Sequence, residues 1–210
     1  FSPWRFQKAN ARTSRAEWIL ASPPDKKLEI ESSKKVKHRT FQEDSQQIHA
    51  LTIEDSPALL PDPHTIAAHQ YLQQAYASTL SDWETYVDWE LNRLRDALTM
   101  NDAIRGQAEE LTEGVEGKQK KLHALSHWIK ENIRYEQDYD DKIARIKPHD
   151  TMKVLDRKYG DCKDKSTLLI QMARSLGIDA RYALIRTRNR GPLQKAVPGL
   201  YFNHAIVHVP

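Results

Sequence analysis

Near Ser81 the hydrophobic repeat of the chain changes from one suited to strands to one suited to helices. That switch limits the chain to folds that keep a β-rich part and a helical part distinct. Before it, apolar residues fall in short runs, Arg15 to Ala21 (RAEWILA), Lys27 to Ile30 (KLEI) and Gln47 to Ile53 (QIHALTI), separated by Pro23-Pro24 and a charged Ser-Lys-Lys segment. These runs predict a small antiparallel β region, with Pro57, Pro61 and Pro63 breaking the chain and Tyr71 to Ser78 supplying one more strand. After it, Trp83, Val87, Leu91, Leu94 and Leu98 recur at helical spacing. Ser81 followed by Glu84 reads as a capping box that starts this helix.

A second helix is predicted over Asn101 to Glu113. A third spans Lys118 to Ile133, burying Leu122, Leu125, Ile129 and Ile133 and preceded by Gly114 and Gly117. Asp140 to Asp150 is polar and reads as an exposed loop. Thr151 to Tyr159 reads as a short helical stretch stopped by Gly160. The run CKDKSTLLIQMARSLG puts Leu168, Leu169, Met172 and Leu176 on one helical face, ended by Gly177. Asp179 to Thr187 is a predicted strand, Asn189 to Gly199 a loop, and Asn203 to Val209 a second strand. The expected division is a β-rich region over 1–80, connecting helices over 81–117 and a core over 118–210.

Composition narrows the function classes. With 32 basic and 29 acidic residues the net charge is only +3, too small a field to call for nucleic acid. No apolar run is long enough for a membrane span. No HExxH, P-loop or GxGxxG pattern occurs, so no metal, nucleotide or other cofactor is expected. The basic run RTRNRG at Arg186 to Gly191 reads as a solvated loop.

The single cysteine, Cys162, cannot form an intrachain disulfide or a multi-cysteine zinc site. It follows Gly160-Asp161 and opens an amphipathic helix, where unpaired backbone N–H groups favour a thiolate and can hold an oxyanion. Lys163 and Lys165 add to that tendency, and Asp161 and Asp164 oppose it. Forty-two residues on, Phe202-Asn203-His204 opens a strand from which an imidazole can face a helix terminus; strand alternation alone does not choose between His204 and His208. Tyr135 and Trp128 are candidate donors to an oxyanion beside the Cys162 N–H, although Trp128 lies within a helical pattern that suits core packing, as do Trp83 and Trp89.

The run YGDCKDKSTLLIQMARSLGIDARYALIRT with FNHAIVHV resembles the core of the bacterial transglutaminase-like superfamily, and WIKENIRY resembles its lead-in. The resemblance covers residues 118–210. It implies an α+β, papain-like fold with a helix-borne cysteine packed on an antiparallel sheet, Cys162 as nucleophile, His204 as base, and an aspartate on the next strand orienting the histidine. His208 has no counterpart. The stretch STLSDWETYVDWE is similar to the end of a domain of unknown function that often precedes this core.

The resemblance also implies a larger, often exported parent, hence an extracytoplasmic bacterial setting, and a protein or peptide substrate. The orienting aspartate is not visible before Pro210, and Asp150, Asp156 and Asp161 read as solvated or capping residues. Two functions therefore stand side by side. One is a cysteine acyltransferase or hydrolase acting on amide bonds; the other is a catalytically idle protein-binding module that keeps the fold.

Overall fold

The structure is a computed structural model that describes residues 3–8, 10–60, 70–137, 146–191, 193 and 195–210. It divides into two compact units. The first comprises Phe1–Asp88 with Arg186–Tyr201, the second Trp89–Ile185 with Phe202–Pro210.

The first unit holds two three-stranded antiparallel sheets. Strands β1 (Trp4–Arg5), β2 (Thr13–Ser22), β3 (Glu29–Ser32), β4 (Lys37–Glu43), β5 (Gln46–Ser56) and β6 (Gln74–Ser78) are arranged in the orders β1-β6-β3 and β2-β5-β4. Strand alternation sends Trp18, Leu20, Leu51 and Ile53 to one face, where they join Phe6, Leu28, Ala75 and Ala77 in a common apolar core. The charged segment read as a separator instead leads into β4, an exposed edge strand paired with β5. Its seven residues KHRTFQE lack an apolar alternation because the edge buries neither face deeply. Residues 61–69, with the predicted breaks at Pro61 and Pro63, lie outside the described residues. The basic run also proves structural: the Arg186 guanidinium donates to the carbonyls of Arg190, Gly191 and Tyr201 and so ties its own loop together.

Helix α1 (Trp83–Leu94) begins where the period changes, but Asp82 caps it, accepting from the Thr85 N–H at 2.7 Å while Ser81 donates to Asp82. Its buried positions are also not those of the expected stripe. Leu94 is 1% exposed and Tyr86 and Glu90 are buried, whereas Val87 and Leu91 are 50% and 53% exposed. The stripe is displaced by one residue because Tyr86, Glu90 and Leu94 also fit helical spacing. Glu90 can turn inward because Arg93 pairs with it at 2.8 Å; its burial still raises the carboxyl pKa. Trp89 is not a packing residue but an exposed ring under the Arg93 guanidinium, 4.4 Å away.

In the second unit α2 (Asp102–Leu111), α3 (Lys118–Asn132) and α4 (Thr151–Arg157) surround α5 (Cys162–Ser175). Strand β7 (Arg134–Tyr135) pairs in parallel with β8 (Tyr159–Gly160), and β9 (Arg181–Ile185) pairs antiparallel with β10 (His204–His208). Helix α5 is buried on two sides. Leu168 and Met172 join Ile104, Leu125, Ile129 and Val154 from the other helices, while Ile170 and Ala173 pack with Ile178, Ala180, Tyr182 and Val207 beside the sheet. This is an α+β fold: the second unit sets a helix carrying a cysteine against an antiparallel sheet, and the N-terminal region is β-rich. Among the described residues no helix is long and apolar enough to cross a membrane.

The two faces of α1 give a direct check. Leu94→Ala should cost about 2–5 kcal/mol as a core truncation, and Leu91→Ala should stay within about 0.5 kcal/mol, measured by urea denaturation.

Candidate active site

Cys162 is the first residue of α5, and the turn before it is built by two carboxylates. Asp161 caps the helix, accepting from the backbone N–H groups of Lys163 at 3.0 Å and Asp164 at 3.4 Å, while Asp164 accepts from the Asp161 N–H at 3.2 Å. The reciprocal cap occupies the N–H groups of Lys163 and Asp164, while that of Cys162 acts on the Tyr135 hydroxyl. Asp161 also forms a buried ion pair with Lys163, so neither acid offers the thiol a bare negative charge.

Asp164 is 1% exposed and gathers a second set of partners. It accepts from the His149 N–H at 2.8 Å, its Oδ2 lies 3.1 Å from His149 Nδ1, and Arg157 donates to it at 3.4 Å. Arg157 also donates to the Tyr159 carbonyl at 3.0 Å and stacks over the Tyr159 ring. The segment before α4, the end of α4 and the start of α5 are thus joined through one carboxylate. The segment expected to be an exposed loop is therefore partly interior: its residues 140–145 lie outside the described ones, but Pro148 and His149 are buried. Gly160 does not stop α4. Lys158 does, in the left-handed region at φ 58°, and Gly160 belongs to β8. A glycine is needed there because a Cβ would sit 2.7 Å from the Asp164 Cβ.

Above this turn a cavity of about 360 Å³ is lined by residues of α3, β7, α5 and β10, among them Cys162, His204 and Tyr135. His204 reaches it because β10 begins there, paired with Ile185 of β9. His208 is exposed and is not part of the lining. Tyr135 is brought to Cys162 by the pairing of β7 with β8, which sets Tyr135 opposite Gly160. Its phenol pKa is raised, first by burial of the hydroxyl and then by the Cys162 sulfur beside it, with the Cys162 backbone N–H acting in the opposite direction. The Cys162 thiol and the Cys162 backbone N–H thus both act on the Tyr135 hydroxyl. Trp128 is elsewhere: it packs at the edge of the helical core with the Lys158 ammonium 5.4 Å from its ring.

The upstream aspartates have local tasks. Asp150 caps α4, accepting from Met152 and Lys153, and Asp161 caps α5. Among the described residues no carboxylate hydrogen-bonds the His204 ring, and no cluster of three or more His, Cys, Asp or Glu side chains suits a metal ion. His149 and Arg157 are not singled out by the sequence pattern. The only hint of them is the Asp at 164, an acid on what would otherwise be a buried helix face.

Residues 105–209 match the family model of the transglutaminase-like superfamily. The chain belongs to the transglutaminase-like superfamily. Among solved structures, a protein of Parabacteroides distasonis proposed to be a protease is 16% identical with a TM-score of 0.78, over 99% of this chain and 41% of that one. A proposed cysteine protease of Cytophaga hutchinsonii is 16% identical with a TM-score of 0.40, covering 99% of this chain and 68% of that one. A transglutaminase structure is 13% identical with a TM-score of 0.37, over 87% of this chain and 42% of that one. The first of these shows a shared fold, and this chain spans less than half of that structure's length. No curated protein sequence matches the chain.

The close approach at Gly160 generates a paired test. Gly160→Ala should destabilise the protein by about 1–3 kcal/mol, because neither backbone nor a buried carboxylate can yield readily. Gly106→Ala, where an added Cβ in α2 meets nothing within 4 Å, should stabilise it by about 0.5–1 kcal/mol. Thermal and urea melts of both variants decide this.

Proposed function

We propose that the second unit is a cysteine-dependent acyltransferase or hydrolase that acts on amide bonds of protein or peptide substrates. The observation that carries this reading is a cavity lined together by Cys162, His204 and Tyr135, with the thiol on the first turn of α5. Membership of the transglutaminase-like superfamily agrees with it.

In this reading His204 takes the thiol proton and the Cys162 sulfur attacks the carbonyl carbon of the amide. A C–S bond forms, and the carbonyl oxygen becomes an oxyanion that accepts hydrogen bonds from the Cys162 N–H and the Tyr135 hydroxyl. Collapse of the intermediate breaks the C–N bond, and the imidazolium returns its proton to the departing amine. A second amine or a water molecule, deprotonated by His204, then attacks the thioester and releases Cys162 as the thiol. An amine acceptor makes the reaction a transamidation, and water makes it a hydrolysis.

The helix start is suited to this because its dipole favours charge on sulfur, and because the two acids nearby are already held in other contacts. Ile129, Leu169, Ala205, Ile206 and Val207 give the cavity an aliphatic wall.

Cys162→Ala should abolish turnover of a glutamine- or amide-containing peptide while changing the melting midpoint little, since the half-buried thiol accounts for about 1 kcal/mol or less. Retained turnover would remove Cys162 from the mechanism. Tyr135→Phe, which deletes only the hydroxyl, should lower kcat by about 10²-fold with a smaller effect on KM. An unchanged kcat would leave Tyr135 as a wall residue.

A further inference from the structure

The polar side of the cavity is unbalanced in charge. Among the described residues its lining contains Lys130 from α3 and Lys165 from α5 and no acidic side chain. Lys165 lies one turn beyond Cys162 on the same helix, and its ammonium donates to the Ile133 carbonyl at 2.7 Å, which fixes it between α5 and the end of α3. Among the described residues it has no ion-pair partner, so donors remain for the cavity. Among the described residues the two acids of the turn before the site are paired: Asp161 with Lys163, and Asp164 with His149 and Arg157. Glu131 approaches Lys130 only loosely, at 3.7 Å between two exposed side chains.

We propose that Lys165, assisted by Lys130, selects acyl donors that carry a carboxylate beside the carbonyl to be attacked. The inference rests on the reading of Cys162 as the nucleophile and adds to it the charge class of the substrate. Burial lowers the Lys165 pKa, which marks an ammonium held at a desolvation cost that an arriving anion would offset. The remaining wall is aliphatic and would take the uncharged part of the donor. An ammonium at this position also sets substrate orientation, because a carboxylate drawn to Lys165 places the neighbouring carbonyl over the first turn of α5. Lys165 is thus a specificity residue and takes no part in the bond-making step.

Two alkylating reagents of nearly equal size isolate this effect. Iodoacetate and iodoacetamide both transfer a two-carbon unit to sulfur with loss of iodide, but only iodoacetate carries a carboxylate. The measured quantity is the ratio of their rate constants for Cys162, referred to the same ratio for N-acetylcysteine. A change in thiol reactivity alters both rates together and leaves the ratio untouched, so failure of the nucleophile reading is separable from failure of this one. The proposal expects a ratio above that of N-acetylcysteine, a fall of about five-fold in Lys165→Met, and retention in Lys165→Arg. Lys130→Met, on an exposed side chain, should lower it by about two-fold and keeps the test valid if Lys165→Met does not fold. Raising salt should reduce the wild-type ratio.

Two further reagent pairs identify where the carboxylate comes from. N-iodoacetylglycine against its amide presents it as a chain terminus, and an aspartyl chloromethyl ketone against the asparaginyl one presents it as a side chain. A preference for the acid in either pair that is lost in Lys165→Met supports the proposal and names the source. A wild-type ratio equal to that of N-acetylcysteine, or a ratio unmoved by both methionine variants, overturns it.

Discussion

The buried carboxylate of Asp164, set reciprocally against the cap made by Asp161, ties the start of α5 to the chain before it. It receives the N–H groups of Asp161 and His149, lies against the His149 ring and takes a hydrogen bond from Arg157. Each partner comes from a different stretch of chain, so the carboxylate joins the approach to α4, the exit from α4 and the turn into α5. Its burial is tolerable because its charge is met by several donors, and removing any one of them would leave an under-satisfied anion in a dry interior. Gly160 follows from the same contact: backbone and Asp164 side chain are too close for any larger residue.

The same turn decides which groups of the helix start face the cavity. The cap uses the N–H groups of Lys163 and Asp164, and the Cys162 N–H and thiol are left to the cavity that His204 and Tyr135 also line. The fold brings these residues together from three places: the first turn of a central helix, the first residue of a strand in a two-stranded sheet, and a two-residue strand paired with the turn itself. A site assembled from such short elements depends on the core beneath it. Here α5 is packed between helices and sheet along its length.

What could be read from sequence follows from where burial is one-sided. Helix α3 and strands β2 and β10 bury one face each, so their periods are visible in the chain, whereas central strand β5 is buried on both faces at Ala50 to Ile53 and reads as a short apolar run. Edge strand β4 is exposed at every position, with Phe41 its one apolar residue, and leaves no period to read. In α1 two stripes one residue apart both fit helical spacing, and the choice between them is made by the Glu90–Arg93 pair and by tertiary packing, which spacing does not encode. The roles of His149 and Arg157 are equally hidden, since both depend on a contact with Asp164 across the fold. The GDC and FNH blocks single out Cys162 and His204 only through family likeness; the chemistry of a helix terminus supplies the reason why a cysteine there would be useful.

The central claim is that the helix start and His204 together make Cys162 an active nucleophile. The most direct measurement is its second-order alkylation rate with iodoacetamide at pH 6, beside that of an unstructured cysteine peptide and of the His204→Gln variant. The account predicts a rate at least about ten-fold above the peptide in the wild-type protein, falling toward the peptide's rate in His204→Gln while the melting midpoint stays close to wild type. A wild-type rate no faster than the peptide's, or one indifferent to His204, would contradict it.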